Sequence, residues 1–293
     1  MLGLILDGQT GRVGAVQGIE LCLYTVIPAL LPFLALSGFL TGSSEGNRNG
    51  IIGKLFSLPP GCGDLWIPAF LGGYPAGAAG IAQAYRQGRI DQDNAQRLLA
   101  YCNNVGPAFL FGIVAPQLPG AWTGWKLWAL QLYAAWVVSR LFPTAHTPEV
   151  QQKSTVAPKN ILSLTAETMG KICVTVILFR ILQAYIQKYL PLPEEAGILF
   201  QGMLELTGGC CRLSVLPEGW RVAAASGMMA MGGLCVWMQT KAVTQGLSLR
   251  FFALGKAIQT GICISGVLFP GGLLLPGALA LLKKSSFSRQ TGV

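Results

Sequence analysis

The sequence predicts an all-α polytopic membrane protein, with about six transmembrane helices and two re-entrant helical hairpins in an inverted repeat. Three observations support this: an apolar composition, long apolar runs, and glycine or proline in the middle of several runs. Hydrophobic residues make up 52% of the 293 residues and charged residues 11%, with a mean hydropathy of +0.52. Soluble domains carry about 25% charged residues, so this chain lacks the polar surface that a globule in water needs.

The charge balance and the cysteines exclude several other classes of protein. Lys and Arg number 21 against 12 acidic residues, but the cations stand singly or in pairs beside apolar runs. That placement is typical of membrane-flanking charge and does not indicate nucleic-acid binding. The eight cysteines form no CxxC pair and the one histidine, His146, lies in a polar segment. We therefore expect no metal site and no cofactor.

Apolar runs mark the candidate spans, because a helix needs about 20 residues to cross a hydrocarbon core. A polar linker, residues 146–160, divides the chain into a first half, residues 1–145, and a second half, residues 161–293. The runs in the first half are 21–44, 65–85, 98–125 and 127–139. Those in the second half are 161–189, 196–217, 222–240 and 251–282.

The two halves share short patterns in the same order. Leu141-Phe142-Pro143 recurs as Leu268-Phe269-Pro270, a shift of 127 residues, and the same shift relates Gly106 to Gly233. A Gly-Gly pair occurs earlier in each half, at 72–73 and 208–209. The order favours an internal duplication, with chance similarity as the alternative.

The run 65–85 has its breakers at its midpoint, in Gly72-Gly-Tyr-Pro-Ala-Gly77. Proline removes a backbone donor and glycine loosens the backbone, so a straight helix would be weakest there. Two arms of about ten residues reach roughly the middle of a 30 Å core. This pattern predicts a re-entrant hairpin with its tip at residues 73–77. A full span kinked at Pro75 is the alternative.

The run 196–217 repeats this pattern, with its midpoint at residues 206–208. It contains Glu205 and Arg212, which a protein-lined cavity tolerates better than lipid does. We expect a second hairpin here. A structural ion pair between Glu205 and Arg212 is the alternative reading of the two charges.

The runs 98–125 and 222–240 are also interrupted in the middle. Asn103 and Asn104 precede Gly106 in the first, and Gly232-Gly233 precede Gln239 in the second. Broken helices at such depth need water or protein to satisfy the backbone, although membrane asparagines also bridge helices. If both hairpins return to the face that they entered, each half crosses three times and the second half is inverted, as in secondary transporters.

The motifs at these breaks resemble those of the YlbJ-type sporulation integral membrane proteins. The similar stretches are residues 26–33, 71–78, 98–109, 204–209 and 232–239. The resemblance implies a fold related to the gate domains of nucleoside transporters. It also implies a carrier that moves dipicolinate during sporulation, in a bacterial cell or forespore membrane.

Together these observations predict a carrier or gated pore for a small polar or anionic metabolite, and no enzyme. Glu205 is the candidate ligand for a coupling cation, and Arg180 either snorkels or acts as a counter-charge for an anion. An oligomer is compatible with the sequence. The candidate substrate-binding residues are Gly73, Tyr74, Pro75, Gly77, Asn103, Asn104, Gly106, Glu205, Thr207, Gly208, Gly209, Gly232, Gly233 and Gln239.

Two other functions remain open at this point. The first is a non-transporting membrane scaffold, for which small residues such as Gly14 and Gly18 would pack helices together. The second is an intramembrane aspartyl protease, because Gly61-Cys-Gly-Asp64 matches the pattern GxGD. That chemistry needs a second aspartate beside the first, and the candidates, Asp91 and Asp93, lie in a hydrophilic loop.

Overall fold

The computed structural model describes residues 7–42, 51–60, 62–144 and 158–269. In these ranges the regular secondary structure is helical. The linker residues 146–157 and the end of the last run, residues 270–282, lie outside the described residues. The α-helices are α1 Gly8–Leu21, α2 Ile27–Gly42, α3 Ile51–Leu55, α4 Ala76–Arg86, α5 Gln92–Leu99, α6 Pro107–Phe109, α7 Thr123–Leu141, α8 Pro158–Tyr189, α9 Glu194–Leu204, α10 Leu206–Cys210, α11 Glu218–Met231, α12 Gly233–Val243 and α13 Arg250–Leu268.

Short turns of wider or tighter helix extend or connect several of these helices. Leu110–Val114 and Ala115–Gln117 extend α6 into one apolar helix, 107–117. The other turns are the π-helices Cys22–Val26 and Pro68–Gly72 and the 3₁₀-helices Gly63–Leu65 and Leu213–Val215.

Three helical segments of the described chain are long and apolar enough to cross a membrane. They are Thr165–Tyr189, Glu218–Val243 and Arg250–Leu268. The bent pair Gly8–Val26 and Leu30–Leu36, with a 54° bend, would make a fourth. The protein is therefore a helical membrane protein. Its described residues contain fewer long spans than the six expected for the whole chain, because several apolar runs are broken.

Helix α1 packs closely against α8 through small residues. A Cβ on Gly14 would lie 2.7 Å from Ile181 Cα, and one on Gly18 would lie 2.8 Å from Ile177 Cα. Two helix backbones approach this closely only where side chains are absent. Asp7 caps α1 by accepting from the Thr10 amide. Hydrogen bonds from Lys188, Thr10 and Tyr189 hold the pKa of the Asp7 carboxyl below its ordinary value.

Helices α7 and α13 have equal lengths and boundaries that are 127 residues apart. Each has 19 residues, and the shift from Thr123 to Arg250 is the same 127 residues that relate the Leu-Phe-Pro patterns. Each ends at a phenylalanine, Phe142 or Phe269, whose amide bonds to the carbonyl four residues earlier. The shift read from sequence identities therefore coincides with a shift between helix boundaries.

The run 65–85 folds back on itself at Gly73 to Pro75. A Cβ on Gly80 would lie 2.9 Å from Pro68 Cγ, whereas twelve residues of straight helix span about 18 Å. Gly73 has a φ of +79°, a conformation that suits glycine. The chain therefore forms a helical hairpin here, with Pro68–Gly72 in one arm and α4 as the other.

The run 196–217 also folds back, but its break lies at Glu205, slightly before the predicted midpoint. Glu205 is extended, with φ −140° and ψ 112°, between α9 and α10. A Cβ on Gly209 would lie 2.3 Å from Gly202 Cα, although seven residues of straight helix span about 10 Å. Gly202 and Gly209 thus form the backbone contact that closes this second hairpin.

The two other breaks occur where the sequence predicts them. The chain leaves helical geometry after α5 and resumes it at Pro107, so Asn103, Asn104 and Gly106 lie in a non-helical segment. Gly232, with φ +82°, ends α11 in the left-handed conformation and begins the turn into α12. A left-handed residue at a helix end strongly favours glycine, which has no Cβ to clash.

Candidate ligand-binding site

One cavity is lined by residues at the helix interruptions of both halves of the chain. It measures about 550 Å³ including its open side. Six of the fourteen predicted site residues line it, and the other eight lie behind this wall or in the adjoining backbone contacts. The six are Gly73, Tyr74, Gly106, Glu205, Thr207 and Gln239.

Most of the remaining cavity wall is apolar. Val26, Val105, Phe109, Ile172 and Val176 are among the residues that form it. An apolar cavity with a few polar groups is the usual form of a small-molecule site, because the polar groups orient a ligand whose body is buried against hydrocarbon.

Tyr74, at the tip of the first hairpin, joins the two halves. Its hydroxyl lies 3.1 Å from the Met229 carbonyl oxygen and 3.3 Å from that of Ala230, so it can donate to either. Both carbonyls belong to the last turn of α11, where carbonyl groups lack helical partners. A Cβ on Gly232 would lie 3.2 Å from the Tyr74 ring. The tip of the first hairpin, at Tyr74, therefore packs against the interruption between α11 and α12, at Gly232.

Asn103 and Asn104 form hydrogen bonds close to this hairpin tip. Asn103 Oδ1 accepts from the Ala78 amide at 3.3 Å, near the start of α4, and its Nδ2 donates to Thr240 Oγ1 at 2.9 Å. Asn104 Nδ2 donates to the Tyr101 carbonyl at 2.6 Å. Asn103 therefore bridges helices, as the alternative reading of membrane asparagines holds, and both asparagines lie behind the cavity wall.

Glu205 caps the short helix α10. Its carboxylate accepts from the Thr207 amide at 2.8 Å and from the Gly208 amide at 2.7 Å. Arg212 instead pairs with Glu194 at 3.1 Å, so the alternative of a Glu205–Arg212 ion pair is wrong. A buried carboxylate is tolerated here because two backbone donors and a helix N-terminus face it.

Arg180 lies beside the second hairpin. A Cβ on Gly208 would lie 2.8 Å from Arg180 Nη1, and Nη1 donates to Gln183 Oε1 at 3.1 Å. The Arg180 side chain is half-buried, and its Nε is buried without a hydrogen-bond partner among the described residues. The Arg180 guanidinium therefore packs against the second hairpin, close to Gly208 and Glu205.

The remaining predicted glycines make close backbone contacts. A Cβ on Gly77 would lie 2.0 Å from the Cys102 carbonyl oxygen, and one on Gly233 would lie 2.9 Å from the Gly202 carbonyl oxygen. Pro75 follows Tyr74 through a cis peptide bond. These residues shape the backbone around the cavity and are not part of its lining.

Thr207 and Gln239 present polar groups to the cavity. Thr207 is 7% exposed and its hydroxyl has no hydrogen-bond partner in the described ranges. Gln239 is 4% exposed, and within the described part of the chain its amide nitrogen bonds to the Cys235 sulfur alone, at 3.4 Å. Buried polar groups usually have strong partners, so these two side chains are the candidates for polar contacts with a ligand.

Lys256 has no role in the sequence-based prediction, yet it is fully buried beside the site. Its ammonium donates to Tyr74 Oη at 2.9 Å, Asn104 Oδ1 at 3.1 Å and Gln259 Oε1 at 2.7 Å. The signal available in the sequence was a single lysine inside the apolar run 251–282. An ionisable residue within a span is a functional candidate by default.

The GxGD aspartate has a structural partner. Arg89 donates to both oxygens of Asp64, at 2.5 and 3.1 Å. Asp91 caps α5 by accepting from the Asn94 amide at 2.7 Å, and Asp93 pairs with Arg97 at 2.6 Å. Each of these three carboxylates therefore has its own local partner. Their described contacts do not bring two of them together as the proton-sharing pair that an aspartyl protease needs.

The apolar helices and the buried polar breaks define an integral membrane protein. Over 117 residues the chain is 33% identical to the sporulation integral membrane protein YlbJ of Bacillus subtilis (strain 168). That match covers 38% of this chain and 29% of YlbJ, so it spans less than a third of the relative's length. The resemblance to YlbJ-type proteins is confirmed over this stretch. No family model matches the chain, and no solved structure matches it.

Proposed function

We propose that the protein is a membrane carrier or gated pore for a small polar metabolite, with dipicolinate as the first candidate. One observation carries the proposal: Tyr74 from the first half and Thr207 from the second border the same buried cavity. Secondary transporters bind substrate at the interface of two repeats, where broken helices expose backbone groups.

The proposal includes re-entrant hairpins and an inverted repeat. The folded-back arms at Gly73 and at Glu205 support the first part. The equal lengths of α7 and α13, 127 residues apart, support the second. In this arrangement each half crosses the membrane three times, so the second half lies upside down relative to the first.

The choice of substrate rests on resemblance and on the form of the cavity. An apolar wall suits the flat ring of a small aromatic acid, while Thr207 and Gln239 would bind its polar groups. The name of YlbJ associates that relative with sporulation, and the proposal extends this role to the present chain. Glu205 remains the proposed ligand of a coupling cation, because each of its oxygens accepts one backbone bond and keeps a lone pair.

Uptake by proteoliposomes tests the carrier. We expect the wild-type protein to take up labelled dipicolinate or, failing that, a nucleoside, and Gln239→Leu to reduce this uptake by about tenfold. The matched control is Gln17→Leu, because Gln17 is exposed on α1 and distant from the cavity lining. A protein that takes up neither compound is not the proposed carrier, and the membrane scaffold is then favoured. Equal effects of the two variants would mean that Gln239 does not bind the ligand.

Cysteine labelling from one side of the membrane tests the hairpin. Pro60 and Arg86, both exposed, flank the first hairpin. A re-entrant hairpin predicts that Pro60→Cys and Arg86→Cys react with a membrane-impermeant thiol reagent from the same face. Labelling from opposite faces would mean that the run 65–85 is a kinked full span. Cys211 is the exposed native cysteine among those described, and replacing it by serine lowers the background.

A further inference from the structure

Lys256 places its amino nitrogen among three neutral oxygens, an arrangement that fits the three donors of the protonated ammonium. It lies about 9 Å along α13 from Arg250 and is fully buried. An ammonium group has three donors, and here all three bond to neutral oxygens, those of Tyr74, Asn104 and Gln259. Among the described residues no Asp or Glu oxygen lies within 4.0 Å of Nζ.

When Lys256 is protonated, the cationic side chains around the cavity in the described chain, Arg180 and Lys256, outnumber the acidic one, Glu205. Glu205 is the acidic side chain that lines the cavity in the described chain, and its two oxygens already accept from backbone amides. Arg180 lies beside it, at Gly208, and Lys256 lies behind Tyr74. Uncompensated charge in a low-dielectric interior is costly, so a negatively charged ligand would stabilise the protonated form of Lys256.

Tyr74 connects the Lys256 charge to the cavity. The Tyr74 ring forms part of the cavity wall, and Lys256 Nζ lies 4.9 Å from the centroid of that ring. A single aromatic side chain thus separates the Lys256 amino group from the cavity, and electrostatic interactions are screened weakly in such a low-dielectric interior.

The N-terminal ends of two helices add to the positive electrostatic potential near the cavity. Helix α12 begins at Gly233, just before the cavity-lining Cys235, and the helix 107–117 begins next to Gly106, which also lines the cavity. Both helices have 11 residues and direct the positive ends of their dipoles toward this region. The buried side chains of Thr207 and Gln239 supply the polar contacts that a ligand at these ends would use.

We propose that Lys256, from behind Tyr74, sets the preference of the cavity for an anionic over a neutral ligand. This inference rests on the proposed function, and it names the residue that determines the charge preference of the site. Lys256 would act on the ligand through its electrostatic field and by positioning Tyr74, because Tyr74 lies between Lys256 and the ligand.

Uptake of two ligands of equal shape but different charge tests the inference. The probes are dipicolinate and its neutral diamide, pyridine-2,6-dicarboxamide, offered to proteoliposomes that contain the full chain. The variants are Lys256→Met, Lys256→Gln and Lys256→Arg, with Lys241→Met as the control. Lys241 is an exposed lysine at the end of α12 that donates to the Leu247 carbonyl. Lys256→Gln keeps a donor for Tyr74, so it provides a neutral variant even if Lys256→Met does not fold.

We expect the wild-type protein and Lys241→Met to prefer the dianion. The neutral variants at Lys256 should lower the dianion-to-diamide ratio by about tenfold or more while still taking up the diamide, and Lys256→Arg should restore the preference. A merely structural role would reduce the uptake of both probes equally.

Two results would overturn the inference while leaving the carrier intact: a wild-type protein without preference for the dianion, or neutral variants that keep the wild-type ratio. If the wild-type protein takes up neither probe, this inference fails, and the proposed function fails with it when a nucleoside is not taken up either.

Discussion

Gly73 and Gly106 touch through their backbones. A Cβ on Gly106 would lie 2.9 Å from both Gly73 Cα and Gly73 N, and one on Gly73 would lie 3.0 Å from Gly106 N. The hairpin tip and the break of the next run are thus in direct contact at the edge of the cavity. Neither side of this contact can yield by rotating a side chain, because both surfaces are main chain.

Gly106→Ala should therefore destabilise the fold. We expect a loss of about 1–3 kcal/mol, typical of overpacking in a close-packed interior, measured by thermal unfolding in detergent. Gly112→Ala is the matched control, since a Cβ there meets no atom within 4 Å and alanine favours helix over glycine by about 1 kcal/mol. Equal stabilities of the two variants would contradict this description of the contact.

The positions of the breaks could be predicted from the sequence because they have local causes. Proline and glycine weaken a helix wherever they stand, and Pro75, Gly106 and Gly232 mark the breaks that form. Which breaks meet could not be predicted. The contact between Gly73 and Gly106 depends on the packing of segments more than 30 residues apart, on which local patterns carry no information.

The candidate site was predicted in part for the same reason. Glu205 and Asn103 were identified as polar residues in apolar runs, but their capping of helix starts depends on where the helices begin. Lys256 was missed because a lysine near the start of an apolar run resembles a cation that snorkels to the membrane surface. Its burial is set by Tyr74 and Asn104, which come from other segments.

The Glu205 cap gives a second prediction. Glu205→Gln keeps the side chain's shape, but its amide offers one acceptor oxygen where the carboxylate offers two, so one of the Thr207 and Gly208 amides loses its partner. We expect a loss of about 1–2 kcal/mol in unfolding free energy. The control is Glu194→Gln, which removes an exposed ion pair with Arg212 worth at most about 1 kcal/mol. A cap variant as stable as this control would mean that the two short hydrogen bonds contribute little.

The Tyr74 hydroxyl gives a third prediction. Tyr74→Phe removes the acceptor of one Lys256 donor and the donor to the last turn of α11. Leaving buried groups without partners costs about 1–3 kcal/mol each, so we expect a clear drop in the unfolding temperature. Tyr24→Phe serves as the control because Tyr24 is 81% exposed. An unchanged unfolding temperature in Tyr74→Phe would show that other groups replace the hydroxyl.

The last prediction concerns the packing of α1 on α8. Gly14→Val would place branched carbons where the Ile181 backbone lies 2.7 Å from a Cβ position, so the two helices must separate. Cys22 and Cys173 report this separation, since Cys22 Sγ lies 3.7 Å from the Cys173 carbonyl oxygen. We expect a short reagent with two thiol-reactive groups to cross-link these cysteines readily in the wild-type protein and several-fold less in Gly14→Val. Gly170→Val, on the open side of α8, should cross-link like the wild type. Undiminished cross-linking in Gly14→Val would mean that α1 is held to α8 by contacts other than this glycine face.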